Sequence, residues 1–300
     1  AGGESFPSAV LGAAPGCTAP ADRVLIVQGF TRFDRFSLPV EDLSPWGLAD
    51  IVRFDQSRVN RFDYVTLHGA GVTGAGAAFD SAEATAVASG LVDLTAYGAL
   101  DWILGEESTV DETFSEAEQA LVSAYLAGGG YLFTGGAELL WDLDEMGSAE
   151  DKAFAHDVLK AAFLSDDAET LSLSSGPEVT AEYEVGFPDV LDPQGGAEVL
   201  WSWSTGGAAA VVYSGDPGGV VTCGFPLEAV AGAETRAALL TEAFESMGFD
   251  VSMTECSEAP VDPGPEQGQA EPGFTEQDGP EPQDIAEPED ALGGSIAEPS

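Results

Sequence analysis

The residues that could do chemistry in this chain are carboxylates at the ends of apolar runs. Glu106 and Glu107 follow Leu100–Leu104 (LDWIL), and Glu138 follows Tyr131–Thr134 (YLFT). Arg32, Asp34 and Arg35 follow Val24–Gln28 (VLIVQ), and His68 lies farther along. If these three runs are neighbouring parallel strands, the side chains collect at one sheet edge, where open α/β sheets bind ligands. Carboxylates gathered there would repel one another, raise at least one pKa, and offer a general acid or a cation site. Glu106, Glu107 and Glu138 are therefore the candidate catalytic residues, and Arg32, Asp34, Arg35 and His68 the candidate ligand-binding residues. The same residue types also build a buried ion-pair network, and an acidic turn residue is often only a favourable charge at a helix N-terminus.

The remaining reactive types have plainer readings. Cys223, in Val220-Val221-Thr222-Cys223-Gly224-Phe225, reads as a buried strand thiol rather than a nucleophile. Asp142, Asp144 and Glu145 alternate like calcium ligands but lack the twelve-residue spacing and its glycine, so a solvated helix entry is expected. Asp166-Asp167 either holds a divalent cation or caps a turn. Trp201 and Trp203 are two apart on a strand and so share a face, which favours core packing over stacking on sugar rings. No cofactor and no metal site is assigned.

The elements that must position these residues alternate in type. VLIVQ is a continuous apolar run, the mark of a strand covered on both faces. Phe62, Val65 and Val72 then recur near helical spacing, despite three glycines in the same stretch. Asp80 to Glu83 reads as a capping signal for a short helix through Ser89, stopped at Gly90. LDWIL and YLFT are further central strands, separated by a helix that opens on the capping box Ser115-Glu116-Ala117-Glu118 and ends at Gly128-Gly129-Gly130. A helix is expected from Ser148 to about Phe163, with Phe154, Val158, Ala161 and Ala162 as its buried stripe. Residues 171–213 read as short strands and turns, an insertion or edge hairpin. Val220–Cys223 and a helix from about Ala233 to Met247, capped by Gly248, close the pattern. Strand–helix alternation implies a doubly wound α/β fold with a mostly parallel sheet, right-handed crossovers and helices on both faces.

Composition sets the partners. The chain has 300 residues with 53 acidic against 9 basic, a formal charge of −44, yet 44% are hydrophobic and mean hydropathy is +0.03. Such a chain can bury a sizeable core. Nucleic acid and anionic membrane surfaces both want Lys and Arg, so neither is an expected partner, and no apolar run reaches the roughly 18 residues of a membrane-spanning helix. Residues 257–300 carry twelve acidic residues, no basic one and eight of the 18 prolines, and read as a disordered acidic tail. The rest is acidic and Lys-poor in its own right, as expected of a protein working in concentrated salt or of an ordinary acidic secreted protein. Six of the seven arginines fall between Arg23 and Arg61. Cys17 and Cys256 flank the body and could staple its ends, a bridge worth about 4–5 kcal/mol by loop entropy.

Several stretches together resemble a known family. VLIVQGF, NRFDYVTLHG, AFDSAEATAV, the run from LDWILGEES to GGAELLWDLD, FLSDDAET and GGVVTCGFPLEAV are similar to the class I glutamine-amidotransferase-like domain of large secreted bacterial proteins, often labelled xanthan lyase-like or golvesin-associated. The resemblance spans about Arg23 to Met247. It implies a flavodoxin-like, doubly wound sheet over residues 17–256, a secreted, extracellular location and an extracellular polysaccharide as a possible partner. The opening AGGESFPSAVLGA resembles the last strand of a fibronectin type III domain, which implies an upstream module with residues 1–16 as its remnant. True amidotransferases place a nucleophilic cysteine on a sharp strand-to-helix turn. Here that turn reads Gly135-Gly136-Ala137-Glu138, and His156 lies within a helix, so acyl transfer of that type is not expected. The function expected is an accessory or ligand-binding domain. The alternatives are a glycan- or peptidoglycan-acting hydrolase or lyase using the strand-end carboxylates, and a structural spacer.

Overall fold

The computed structural model describes residues 11–14, 23–30, 40–52, 63–109 and 112–251. Arg32, Asp34, Arg35, Cys17, Cys256 and the acidic segment 257–300 lie outside the described residues. The main sheet begins with β1 (Val24–Gln28), whose five residues are all buried, as its unbroken apolar run requires. Beside it lie β4 (Phe79–Glu83), β5 (Ala99–Gly105), β6 (Tyr131–Gly136) and β11 (Gly219–Cys223). The strands run β4-β1-β5-β6-β11 in parallel, and the sheet continues antiparallel through β10 (Ala208–Ser214), β8 (Val190–Pro193) and β7 (Ala161–Ser165). β9 (Glu198–Ser202) pairs with β10, and a separate small hairpin joins β2 (Val40–Glu41) to β3 (Ile51–Val52).

Successive β1 residues feed two different cores, as alternation along a strand dictates. Val24 and Ile26 belong to one apolar cluster, which includes residues of α1 (Tyr64–Gly74) and α5 (Ala233–Met247). Leu25 and Val27 belong to the other, which includes residues of α2 (Ala84–Ala88) and α3 (Glu116–Ala127). The glycines of α1 have a packing reason. A Cβ on Gly71 would stand 2.9 Å from Leu240 and one on Gly74 would stand 2.6 Å from Ala237, so the two helices approach almost backbone to backbone. The capping box at Ser115 forms as its sequence predicts, with Glu118 accepting from the Ser115 backbone N–H at 2.9 Å.

Two expectations need correction. Asp80 to Glu83 does not cap a helix but forms most of β4, in register with β1 from Leu25 to Gln28, and α2 begins only at Ala84. The helix expected to reach Phe163 ends early. After α4 (Ala149–Ala153) the chain makes a π-helical turn, Phe154–Val158, and from Ala161 it is strand β7. Ala161 and Ala162 are buried in either arrangement, so their apolar character could not separate them. Segment 171–213 holds short strands and turns, as read: β9 and β10 pair as an antiparallel hairpin and β8 and β10 extend the main sheet, so parallel pairing is confined to β4, β1, β5, β6 and β11. The described part of the N-terminal segment lies along the outer edge of β4, with Ala14 bridged to Phe79 and Gly12 N–H donated to Ser81 Oγ at 2.8 Å.

Candidate functional site at the carboxyl edge

The carboxyl ends of β5, β6 and β11 converge, and small residues make this possible. Gly105 has φ +59° with the Phe30 ring against it, and a Cβ on Gly136 would stand 2.8 Å from Leu104 Cβ. The Ala137 N–H is donated to Gly105 O at 2.9 Å, locking the two strand ends together. Across this edge runs the segment from Glu182 to Asp189. Its Gly186 N–H is donated to Glu106 Oε1 at 3.0 Å, and its Phe187 carbonyl accepts the Glu138 N–H at 3.3 Å. Glu106 and Glu138, picked out from the sequence, are thus brought to the same strap, with Glu107 buried beside Glu106.

His68 takes a different place from the one expected. It reaches from α1 to the middle of the sheet, where its Nδ1 lies 3.0 and 2.8 Å from the two oxygens of Asp101 and its Nε2 lies 3.1 Å from Glu228 Oε2. All three side chains are buried. Asp101 is the third residue of the seven-residue β5, opposite Ile26 and Phe133, and Glu228 sits in the short 3-10 helix Leu227–Ala229 after β11. Burial alone would push the imidazole toward its neutral form, but the charges and hydrogen bonds of Asp101 and Glu228 outweigh it and raise its pKa to about 9. His68 is therefore an imidazolium at neutral pH, donating from both nitrogens, and is a buried counter-ion rather than a ligand contact. The Tyr183 hydroxyl lies in the field of Tyr64, Glu228 and Glu106, and burial with these neighbours lifts its pKa well above the usual phenol value. The inner part of the edge is thus a filled polar network.

Glu138 differs from these residues in exposure and in backbone. It is partly exposed and has φ +58°, the left-handed region that residues with a Cβ rarely occupy. Behind it, Asp189 is fully buried and its Oδ2 accepts the Leu140 N–H at 2.7 Å. Burial, reinforced by the negative charges of Asp166 and Glu138, pushes the pKa of the Asp189 carboxyl well above the ordinary range, against the backbone hydrogen bonds that favour its charged form.

The other reactive residues resolve simply. Cys223 is free and buried, and burial raises its thiol pKa far above that of an attacking thiolate. Asp142 and Asp144 stand in the first turn of the π-helical segment Trp141–Met146, as a helix entry, but both are hydrogen-bonded to neighbouring segments. Asp142 accepts from Thr113 N–H and Oγ at 2.9 and 2.6 Å, and Asp144 accepts from Phe163 N–H at 2.7 Å and pairs with His156 at 2.8 Å. Asp167 accepts from Glu169 N–H at 2.7 Å, the turn-capping alternative. Trp201 and Trp203 are core residues, 0% and 1% exposed. Among the described residues no cluster of three or more His, Cys, Asp or Glu side chains has the arrangement of a metal site. None of their helices is long and apolar enough to cross a membrane.

Sequence reasoning missed Asp101, Glu228 and Asp189. Asp101 left a signal, a lone charge inside an otherwise apolar strand, which must find a buried partner. Glu228 follows a strand end as Glu106 and Glu138 do. Asp189 gave none, because its environment comes from residues distant in the chain.

No family model matches the chain, and no curated protein matches it. Solved structures similar to it include a polyextremophilic β-galactosidase from the Antarctic haloarchaeon Halorubrum lacusprofundi, 21% identical with a TM-score of 0.41, covering 77% of this chain and 30% of that one. The cytoplasmic protein STM1381 from Salmonella typhimurium LT2 is 13% identical with a TM-score of 0.44, over 77% of this chain and 98% of that one. Agd3, described as a novel carbohydrate deacetylase, is 10% identical with a TM-score of 0.37, over 76% and 32%. This chain thus spans about 30% of the length of the β-galactosidase it matches.

Proposed function

We propose that this chain is a carbohydrate-binding α/β module of a secreted modular protein, amidotransferase-like in its sheet but without the amidotransferase nucleophile. The ligand is a neutral polyhydroxylated one, held at the carboxyl edge against Glu138. The observation that carries this reading is the left-handed backbone of Glu138 at the end of a central strand. A glycine there would be cheaper, and strain of this kind clusters at functional sites. The charge of the chain supports the ligand class. A body of this acidity repels phosphates and nucleotides, whereas carboxylates accept hydrogen bonds from sugar hydroxyls.

The second reading is hydrolysis or elimination at the same edge, and one pairing favours it. Asp189, its pKa raised by burial and by the neighbouring Glu138, resembles one member of the carboxyl pairs whose environments push their pKa values apart. The buried position of Asp189 favours binding over proton transfer to a ligand.

The test is to titrate the full chain with neutral oligosaccharides while following the release of reducing ends. Saturable binding that falls about tenfold or more in Glu138→Gln is expected, the loss of one charged hydrogen-bond acceptor. Product release abolished by the same substitution would establish the second reading. Binding that Glu138→Gln leaves unchanged would remove Glu138 from the site.

A further inference from the structure

The chain has two lysines, Lys152 and Lys160. Lys160 follows the π-helical turn Phe154–Val158 at φ +60°, a position where helices usually end on Gly or Asn. Its carbonyl accepts the Gln194 N–H at 2.9 Å, which fixes the backbone, and its Nζ sits 4.9 Å from the centre of the Tyr213 ring. The backbone thus adopts a conformation unfavourable for a side chain, and an ammonium is placed over an aromatic face. Although the sequence carries 53 carboxylates, none of the ion pairs among the described residues uses Lys160.

Lys160 and Tyr213 open onto a cavity of about 260 Å³ whose other walls include Ser123, Leu126, Asp157 and Pro217. The cavity lies at the amino end of β11, beside Gly218 and Gly219. Glu228 and the carboxyl-edge site are at the other end of that strand, so the two sites share no residue. The lining is mainly apolar and carries one cation, one carboxylate and two hydroxyls, those of Ser123 and Tyr213.

We propose that this cavity binds a small hydroxylated carboxylate of the sugar-acid class. The ligand carboxylate pairs with Lys160 Nζ, its hydroxyls donate to Asp157 and exchange hydrogen bonds with Ser123 Oγ, and its C–H face packs on Leu126 and Pro217. The volume is at the small end for ligand sites and suits one monosaccharide-sized molecule. A simple inorganic anion would meet Asp157 with no hydroxyl to offer it, which is why a hydroxylated ligand is preferred. The field of the acidic body opposes any anion at long range, but salt screens that field beyond about 3 Å at roughly 1 M, while the contact with Lys160 is shorter.

The experiment is calorimetric or NMR titration of the full chain with D-glucuronate at about 1 M NaCl, with D-glucose as the uncharged comparison. Saturable glucuronate binding is expected, with glucose weaker by about tenfold or more, the value of one charge-assisted contact. Lys160→Gly is the informative variant. It removes the ammonium and relieves the left-handed backbone, so it should fold with an unchanged or raised Tm while losing glucuronate affinity by about tenfold or more. No saturable glucuronate binding to the parent chain, equal binding of glucose, or undiminished binding by Lys160→Gly would overturn the proposal.

Discussion

The parallel and antiparallel halves of the sheet bury different chemistry. At the centre of the parallel half is an ion triad, with His68 held between Asp101 and Glu228. At the centre of the antiparallel half are rings: Trp203 and Trp201 pack against Phe225 with centroids 5.3 and 6.3 Å apart. A buried ion pair often contributes little net stability over an apolar core of the same shape, yet losing one partner is costly because a charge is left stranded. Ring packing has no such asymmetry and no dependence on protonation. One half should therefore respond to pH and the other only to volume.

The largest effects test this contrast. Asp101→Ala strands His68 and should cost about 3–5 kcal/mol in chemical denaturation at neutral pH. Trp203→Ala should cost a similar amount, about 3–5 kcal/mol, through a cavity. A cost below about 1 kcal/mol for Asp101→Ala would mean that the triad is not what holds the parallel half.

Next in size is the pH response. His68 has a folded pKa of about 9 against a reference of 6.5. Because the folded value is the higher one, its contribution is complete below about pH 6.5 and is lost as pH rises through about 9. The loss is about 3 kcal/mol at ~1.4 kcal/mol per pKa unit. Denaturation between pH 6.5 and 9 should show this slope in the parent and in Trp203→Ala, and much less of it in His68→Gln. Equal slopes in all three would remove the triad from the account.

The smallest effect concerns the buried carboxyl of the strap that crosses the carboxyl edge. Burial raises the pKa of Asp189, and Asp189→Asn keeps its shape and an oxygen acceptor for the Leu140 N–H. At neutral pH it should leave stability unchanged or raise it, because a folded pKa above the reference makes the parent lose stability as pH rises above about 4. Asp189→Asn lacks this titration, so the parent and not the variant should lose stability as pH rises from about 4 through the folded pKa. A large loss at neutral pH would show that the carboxyl is ionised in the folded chain.

The sequence conveyed the parallel half well because its signals are local. The unbroken VLIVQ run, the Ser115 capping box and Gly248 after Met247 each appear in the structure where they were read. Boundaries failed where two elements share apolar content. Asp80–Glu83 offers a cap but pairs with β1, and Ala161-Ala162 fit a helical stripe but enter β7. Cross-chain pairing overrode the local signal in both. The site divided the same way. Glu106 and Glu138 were readable as strand-end carboxylates, while the role of His68 depended on Asp101 and Glu228, which only the fold brings to it. The left-handed backbone of Glu138 had no signal, since a glutamate does not advertise positive φ.

That backbone gives the most direct test of the central claim, that Glu138 is retained for a ligand at the expense of stability. Glu138→Gly should raise stability by about 1 kcal/mol or leave it unchanged, since only the side chain is strained at φ +58°. In the same preparation, binding of neutral oligosaccharide should fall by about tenfold or more, with the acceptor gone. Gained stability with lost binding is the result this account predicts. Lost stability with binding intact would contradict it and make Glu138 a structural residue.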